Sequence, residues 1–215
     1  MGTFKQGILG GFSGKVGTVI GSFWKGRNVM RSIAQHVHNP QTAAQMNQRA
    51  RFSMISRMIA ASQTFVDQGY QNHTATETAG NAAMRDNLGN GCISGTYPTL
   101  TIDYTKVTFS KGTHINVDSP SVTQDTGHSA TVTWTDNTGV APEVLGSDVV
   151  MVMLYNISKT ASTYDISSAT RSDQTLTVSY PATWVGDTIH CFVVTKSSSG
   201  LLMSGTINAG NFVAA

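Results

Sequence analysis

The chain has 215 residues and a formal net charge of +2; 40% of residues are hydrophobic and only 12% charged, about half the roughly 25% of an ordinary soluble domain. That apolar content can fill a core and argues against wholesale disorder, while the lack of any run of about 18 apolar residues excludes a membrane-spanning helix. Ser and Thr take 50 positions, and a surface poor in charge resists its neighbours weakly, which suits a protein that packs into assemblies.

The opening Met1-Gly2-Thr3-Phe4-Lys5-Gln6 has no long apolar stretch of the secretory kind. Gln6 stands where myristoylation requires Ser or Thr. The expectation is a cytoplasmic protein, or one carried inside a particle such as a virion. Residues 1–38 are glycine-rich, with Val16, Val19-Ile20, Phe23-Trp24 and Val29-Met30 reading as short β segments around a hairpin turn at Lys25-Gly26-Arg27-Asn28. Glycine at this density loses much entropy on ordering, so such an arm is expected to gain its order from something it packs against.

A helix is predicted from Asn39, a good N-cap, and Pro40, suited to the first helical position. Ala43, Met46, Ala50, Met54, Met58, Ala61 and Phe65 form one apolar stripe, and Phe52, Ile55, Ile59 and Val66 a second. Two stripes predict a helix buried on two sides, ending at Gly69. A second helix is predicted over about Thr76–Leu88, stopped by Gly89-Asn90-Gly91. From Ile93 the pattern turns to short alternating runs: Leu100–Tyr104, Lys106–Ser110, His114–Asp118, Ala130–Thr135, Val149–Tyr155, Thr175–Tyr180, Thr188–Thr195 and Leu202–Ile207. The unbroken apolar run Val149–Leu154 reads as a central strand. The predicted fold is α+β: a glycine-rich β arm plus two helices over 1–92, connecting strands over 93–117, and an immunoglobulin-like antiparallel β-sandwich over 118–215.

Charge is distributed unevenly. Residues 1–66 hold Lys5, Lys15, Lys25, Arg27, Arg31, Arg49, Arg51 and Arg57 and no carboxylate before Asp67, while the rest holds six cations and twelve acids. Such asymmetry predicts contact with an acidic partner, either the C-terminal part of the same or a neighbouring subunit or nucleic acid.

Two resemblances follow from particular residues. Thr131-Val-Thr-Trp134, Ile189-His-Cys-Phe-Val193, a Ser-Ser-Gly turn and Leu201-Leu-Met203 resemble a fibronectin-III or immunoglobulin-like module. The segments Gly7-Ile-Leu-Gly-Gly-Phe-Ser-Gly-Lys-Val-Gly17, Trp24-Lys-Gly26, Asn39-Pro-Gln-Thr42 with Gln45, Arg49-Ala-Arg-Phe52, Ile102-Asp-Tyr-Thr-Lys-Val107, Phe109-Ser-Lys-Gly112 and Trp134-Thr-Asp-Asn137 resemble an uncharacterised family of proteins of this length, common in Bacteroidota and their prophages. The Asn-Pro-x-Thr-x-x-Gln-x-x-x-Arg segment is similar to one in small phage-encoded structural proteins, which implies a virion or assembly component. That family carries no assigned catalytic residues.

Chemistry-bearing motifs are sparse. Gly10-Gly11-Phe12-Ser13-Gly14-Lys15 departs from a phosphate-binding loop, with Leu9 where its first glycine belongs and Val16 where Mg²⁺ needs a hydroxyl. His36-Val37-His38 offers two imidazoles with no third ligand nearby in sequence. His114, His128 and His190 are expected to be ordinary strand or loop residues, and the aspartates to serve turns. Cys92 and Cys191 read as small half-buried hydrophobes rather than a disulfide. Trp24, Trp134 and Trp184 read as core anchors, with glycan stacking as the alternative.

The expectation is a non-enzymatic structural or assembly protein without metal, cofactor or small-molecule substrate. Self-association or docking to a larger assembly is predicted through Trp24, Lys25, Arg27, Arg31, Arg49 and Arg51. Nucleic-acid binding by the basic segment is the first alternative, and carbohydrate binding the second.

Overall fold

A computed structural model describes residues 3–4, 10–36, 39–71 and 77–215. Two compact units, Met1–Thr42 and Ala43–Ala215, make up the chain. The molecule mixes α and β structure, mostly β, with its strands in antiparallel sheets. Its helices and its C-terminal strands share the second unit.

In the first unit, β1 (Thr3–Phe4), β2 (Phe12–Val16), β3 (Val19–Trp24) and β4 (Arg27–Ser32) form one antiparallel sheet in that order. Lys25 and Gly26 make the β3–β4 turn with φ of 43° and 81°, the positive pair that matches the twist of a two-residue hairpin. The turn is thus tighter than the sequence suggests, because Arg27 and Asn28 are already paired with Trp24 and Phe23. Gly21 is required on packing grounds: a Cβ there would lie 2.4 Å from the Phe12 carbonyl oxygen and 2.6 Å from its ring.

The second unit begins with α1 (Ala43–Ala61), α2 (Gln63–Gly69) and α3 (Ala79–Gly89). Asn39 and Pro40 lie outside α1, correcting the predicted start. They belong to the stretch leading into the second unit, and a short helix gains most of its stability only where it packs. The expected single helix is also broken at Ser62, whose amide bonds the Ile59 carbonyl while its own carbonyl starts α2 through Val66. Its burial is uneven: Ile55, Met58 and Ile59 are buried but Phe52 is 52% exposed, so the second stripe is covered only towards the C-terminal end. Gly69 does end α2, for a reason other than a left-handed cap: a Cβ there would stand 2.2 Å from the Phe109 carbonyl oxygen. Thr78 caps α3 by accepting from the Asn81 amide at 3.1 Å; Thr76 lies outside the described residues.

After the small hairpin β5 (Ile93–Ser94) and β6 (Thr101–Ile102) come β7 (Asp118–Asp125), β8 (Ser129–Thr135), β9 (Val149–Asn156), β10 (Ala161–Thr170), β11 (Thr175–Ser179), β12 (Thr188–Lys196) and β13 (Ile207–Val213). They form a four-stranded sheet, β10-β9-β12-β13, and a three-stranded sheet, β11-β8-β7. Lys106–Ser110 and His114–Asp118 are mainly irregular rather than strands, and the last strand starts at Ile207, after the predicted segment has all but ended. Asn87 explains the first of these: it occupies the Thr108 amide and carbonyl with its own side chain, at 2.9 and 2.7 Å. Strands β7 and β10 escape the sequence pattern because they are polar edge strands, with Ser119, Ser121, Thr123, Ser167 and Ser168 facing water.

The four-stranded sheet is covered on both faces. Met151, Met153 and Tyr155 of β9 and Phe192 and Val194 of β12 pack with the helices. Their alternates Val150, Val152, Leu154, Ile189, Cys191 and Val193 pack with Val132, Trp134 and Val178 of the other sheet. Burial from both sides is the physical reason for an apolar run without alternation.

Candidate partner-binding surface

Strand register assigns the side chains of the first unit to two faces. Gly14 pairs with Gly21, Lys15 with Ile20, Gly21 with Met30, Ile20 with Arg31 and Trp24 with Arg27. Because neighbours across an antiparallel ladder point the same way, Lys15, Ile20, Trp24, Arg27, Val29 and Arg31 share one face. Phe12, Val16, Val19, Phe23 and Met30 share the other. The first face is cationic with an aromatic, and the second is apolar. Phe23, Met30 and Trp24 are 64%, 68% and 56% exposed. No carboxylate occurs in this unit to offset its five cations.

Three of the predicted residues, Trp24, Arg27 and Arg31, are therefore brought onto one surface, with Lys25 at the turn beside them. Lys15 and Val29 also belong there and were missed, although strand alternation carries the signal. Arg49 and Arg51 lie on α1 in the second unit. Arg49 is exposed, but Arg51 donates to the Ile93 carbonyl at 3.0 Å and so fastens α1 to the β5–β6 hairpin.

Several other candidates resolve into structural roles. Phe12–Val16 is a strand, so Gly14 and Lys15 sit in a β-ladder rather than in a phosphate-binding loop. His36 is exposed, while Val37 and His38 lie outside the described residues. Trp134 and Trp184 are buried, Trp134 donating to the Arg171 carbonyl at 2.9 Å and Trp184 stacking on Tyr180; neither offers an open platform for a sugar. Trp24 departs from the core-anchor expectation by its exposure. Cys92 and Cys191 are free, buried and in separate cores.

Two polar sites in the second unit escaped the sequence reading. A cleft of about 560 Å³ is lined among others by Tyr70, Arg85, Asp86, Asn90, Thr108 and Lys111. Asp86 accepts from Lys111 at 2.9 Å, from Arg85 at 3.3 Å and from the Tyr70 hydroxyl at 3.4 Å. Burial pushes the Tyr70 phenol up to about 12. Burial would raise the Asp86 carboxyl, but Lys111 and Arg85 outweigh it and hold it below the ordinary value. These groups satisfy one another, leaving the cleft a bracket between α3 and the 108–111 loop.

The other site is internal. Asp148 accepts from Arg171 at 3.3 Å, from the Leu145 amide at 2.9 Å and from the Ser198 amide at 3.0 Å, and meets His114 Nε2 at 3.0 Å. Arg171 also donates to the carbonyls of Ile115 and Asn116 and to the Asn137 side chain. This corrects the expectation that His114 is an ordinary loop residue: the His114, Asp148 and Arg171 side chains have no exposed surface. Among the described residues no group of three His, Cys, Asp or Glu could hold a metal ion, and no helix is long and apolar enough to cross a membrane.

The chain belongs to DUF6266, a family of unknown function whose profile matches residues 11–210. No curated protein matches it.

Proposed function

We propose that this family member is a non-enzymatic structural protein of an assembly, docking through its N-terminal sheet and displaying its two-sheet body. The observation that carries the reading is the exposure of Phe23, Trp24, Val29 and Met30 on a four-stranded sheet within the first 42 residues. A unit of that size buries too little of its own surface to be stable unaided, and clustered exposed apolar side chains mark interaction surfaces. The low charge of the whole chain and its acid-free opening support the same reading. On this view the protein works inside a particle, a virion being the case favoured by the phage-like Asn39-Pro-Gln-Thr42 segment.

The displayed body fits a fibronectin-III-like module. Counted from β7, the first, second and fifth strands form one sheet and the third, fourth, sixth and seventh the other. The fourth strand joins the second sheet, whereas in an immunoglobulin constant domain it pairs with the first.

Native mass tests the docking role. The wild-type chain is expected to associate well above its 22.8 kDa, and Trp24→Ser with Val29→Ser to return it to the monomer. A wild-type protein that remains monomeric at all concentrations, with the variant indistinguishable from it, overturns the reading.

Nucleic-acid binding is the second reading, favoured by the placement of Lys15, Arg27 and Arg31 on the same face as Trp24. Three phosphate contacts at about 0.9 each give a log-log salt slope of about −2.7. A gel-shift series in salt measures it, and affinity unchanged by Arg27→Glu removes this reading.

A further inference from the structure

The cationic face of the N-terminal sheet has a complementary surface on the second unit. Asp118 is paired opposite Thr135, which precedes Asp136. The Gly139 amide bonds the Val144 carbonyl at 3.0 Å and folds the loop carrying Glu143 back on itself. The Ser172 amide bonds the Gly146 carbonyl at 3.1 Å, placing Asp173 beside that loop. Four carboxylates therefore gather at one end of the two-sheet body, together with exposed Leu145 and with Val140, which is 65% exposed. The one Lys or Arg in these loops is Arg171, and its charge is turned inward to Asp148. Asp136 and Asp173 are held below the ordinary carboxyl value, the former mainly by the Thr138 hydroxyl and the latter by the Thr170 amide.

We propose, building on the assembly role above, that the partner of the N-terminal sheet is a second copy of this chain. Its Lys15–Trp24–Arg27–Arg31 face docks onto the Asp118–Asp136–Glu143–Asp173 end of the neighbour. Both surfaces mix charge with exposed apolar groups, Trp24 and Val29 on one and Val140 and Leu145 on the other. Arg27, Arg31, Asp118, Glu143 and Asp173 are all exposed in the single chain, so each is available to another copy. Two sheets meeting through this face would bring like charges together without a counter-ion, which disfavours a symmetric pair. A sheet meeting a loop end is a head-to-tail contact, and such contacts propagate into rings or filaments.

The test uses two full-length variants, Arg27→Glu with Arg31→Glu on the sheet and Asp118→Lys with Glu143→Lys on the loop end. Mass is followed by light scattering, and circular dichroism verifies that each variant folds. Wild-type mass should rise with concentration and fall as salt goes from about 0.05 to about 0.5 M, where screening shortens to a few ångströms. Each variant alone should remain monomeric. An equimolar mixture of the two should recover association, because each reversed surface then meets its opposite. Should the sheet variant dissociate while the loop variant keeps the wild-type mass, head-to-tail docking is overturned and the assembly role stands with another partner. A mixture that fails to recover association also overturns it, and a wild-type protein that never associates removes both.

Discussion

Asp148 Oδ2 lies 3.0 Å from His114 Nε2, and neither side chain has any exposed surface. With Arg171 at 3.3 Å from the same oxygen, these residues tie the 114–117 segment, the 137–148 loop and the end of β10 together beneath the acidic loop end. Removing one partner of a buried ionic pair costs about 3–5 kcal/mol, because the other charge is left uncompensated. Asp148→Asn is expected to lose that much in urea unfolding. A loss under about 1 kcal/mol would mean that the guanidinium finds other acceptors.

The same carboxylate sets an acid limb of stability. Burial would raise its value, but the Leu145 and Ser198 amides and His114 outweigh burial and hold it below the ordinary one. A group depressed in the folded state stabilises above its unfolded value, about 4 for Asp. That contribution is lost as pH falls through the lower folded value. Unfolding free energy should therefore decline below about pH 4, and Asp148→Asn should flatten that decline. Parallel curves for the two proteins would contradict the assignment.

Burial of β9 on both sides makes a paired prediction. Met153 packs with the helices and Leu154 with the opposite sheet. Each truncation to Ala should cost about 2–5 kcal/mol, whereas exposed Phe52→Ala should change stability by under about 0.5 kcal/mol. A nearly silent Met153→Ala would show that the helical layer does not pack there.

Glycines separate in the same way. A Cβ on Gly112 would fall 1.8 Å from the Met203 carbonyl oxygen, while one on Gly89 meets nothing within 4 Å. Gly112→Ala should destabilise by about 1–3 kcal/mol through forced backbone movement. Gly89→Ala, at the end of α3, should be neutral or stabilise by up to about 1 kcal/mol. Thermal unfolding of the two variants checks the contrast.

Neither thiol should react while the protein is folded. Cys191 is fully buried and burial pushes its thiol well up; Cys92 is buried too and donates to the Asn87 carbonyl at 3.0 Å. Thiol titration at pH 8 should find no reactive group in the native protein and two in denaturant. Rapid labelling of native protein would place one of them outside the core.

What the sequence settled by itself is local. The β3–β4 hairpin, α3 with its glycine stop, the strands β8, β9, β11 and β12, and the acid-free opening can all be read from residue order, because turns, caps and alternation act over a few neighbours. The split at Ser62, the late start of α1 and the polar strands β7 and β10 depend on what lies opposite them, which no short window contains. Tertiary structure alone set Lys15 and Arg31 on either side of Ile20 on one face, buried His114 against Asp148 and Arg171, and gathered Asp118, Asp136, Glu143 and Asp173 at one end. Each of those relations joins residues distant along the chain, and pairing register and shared burial, rather than any local preference, decide which distant residues meet.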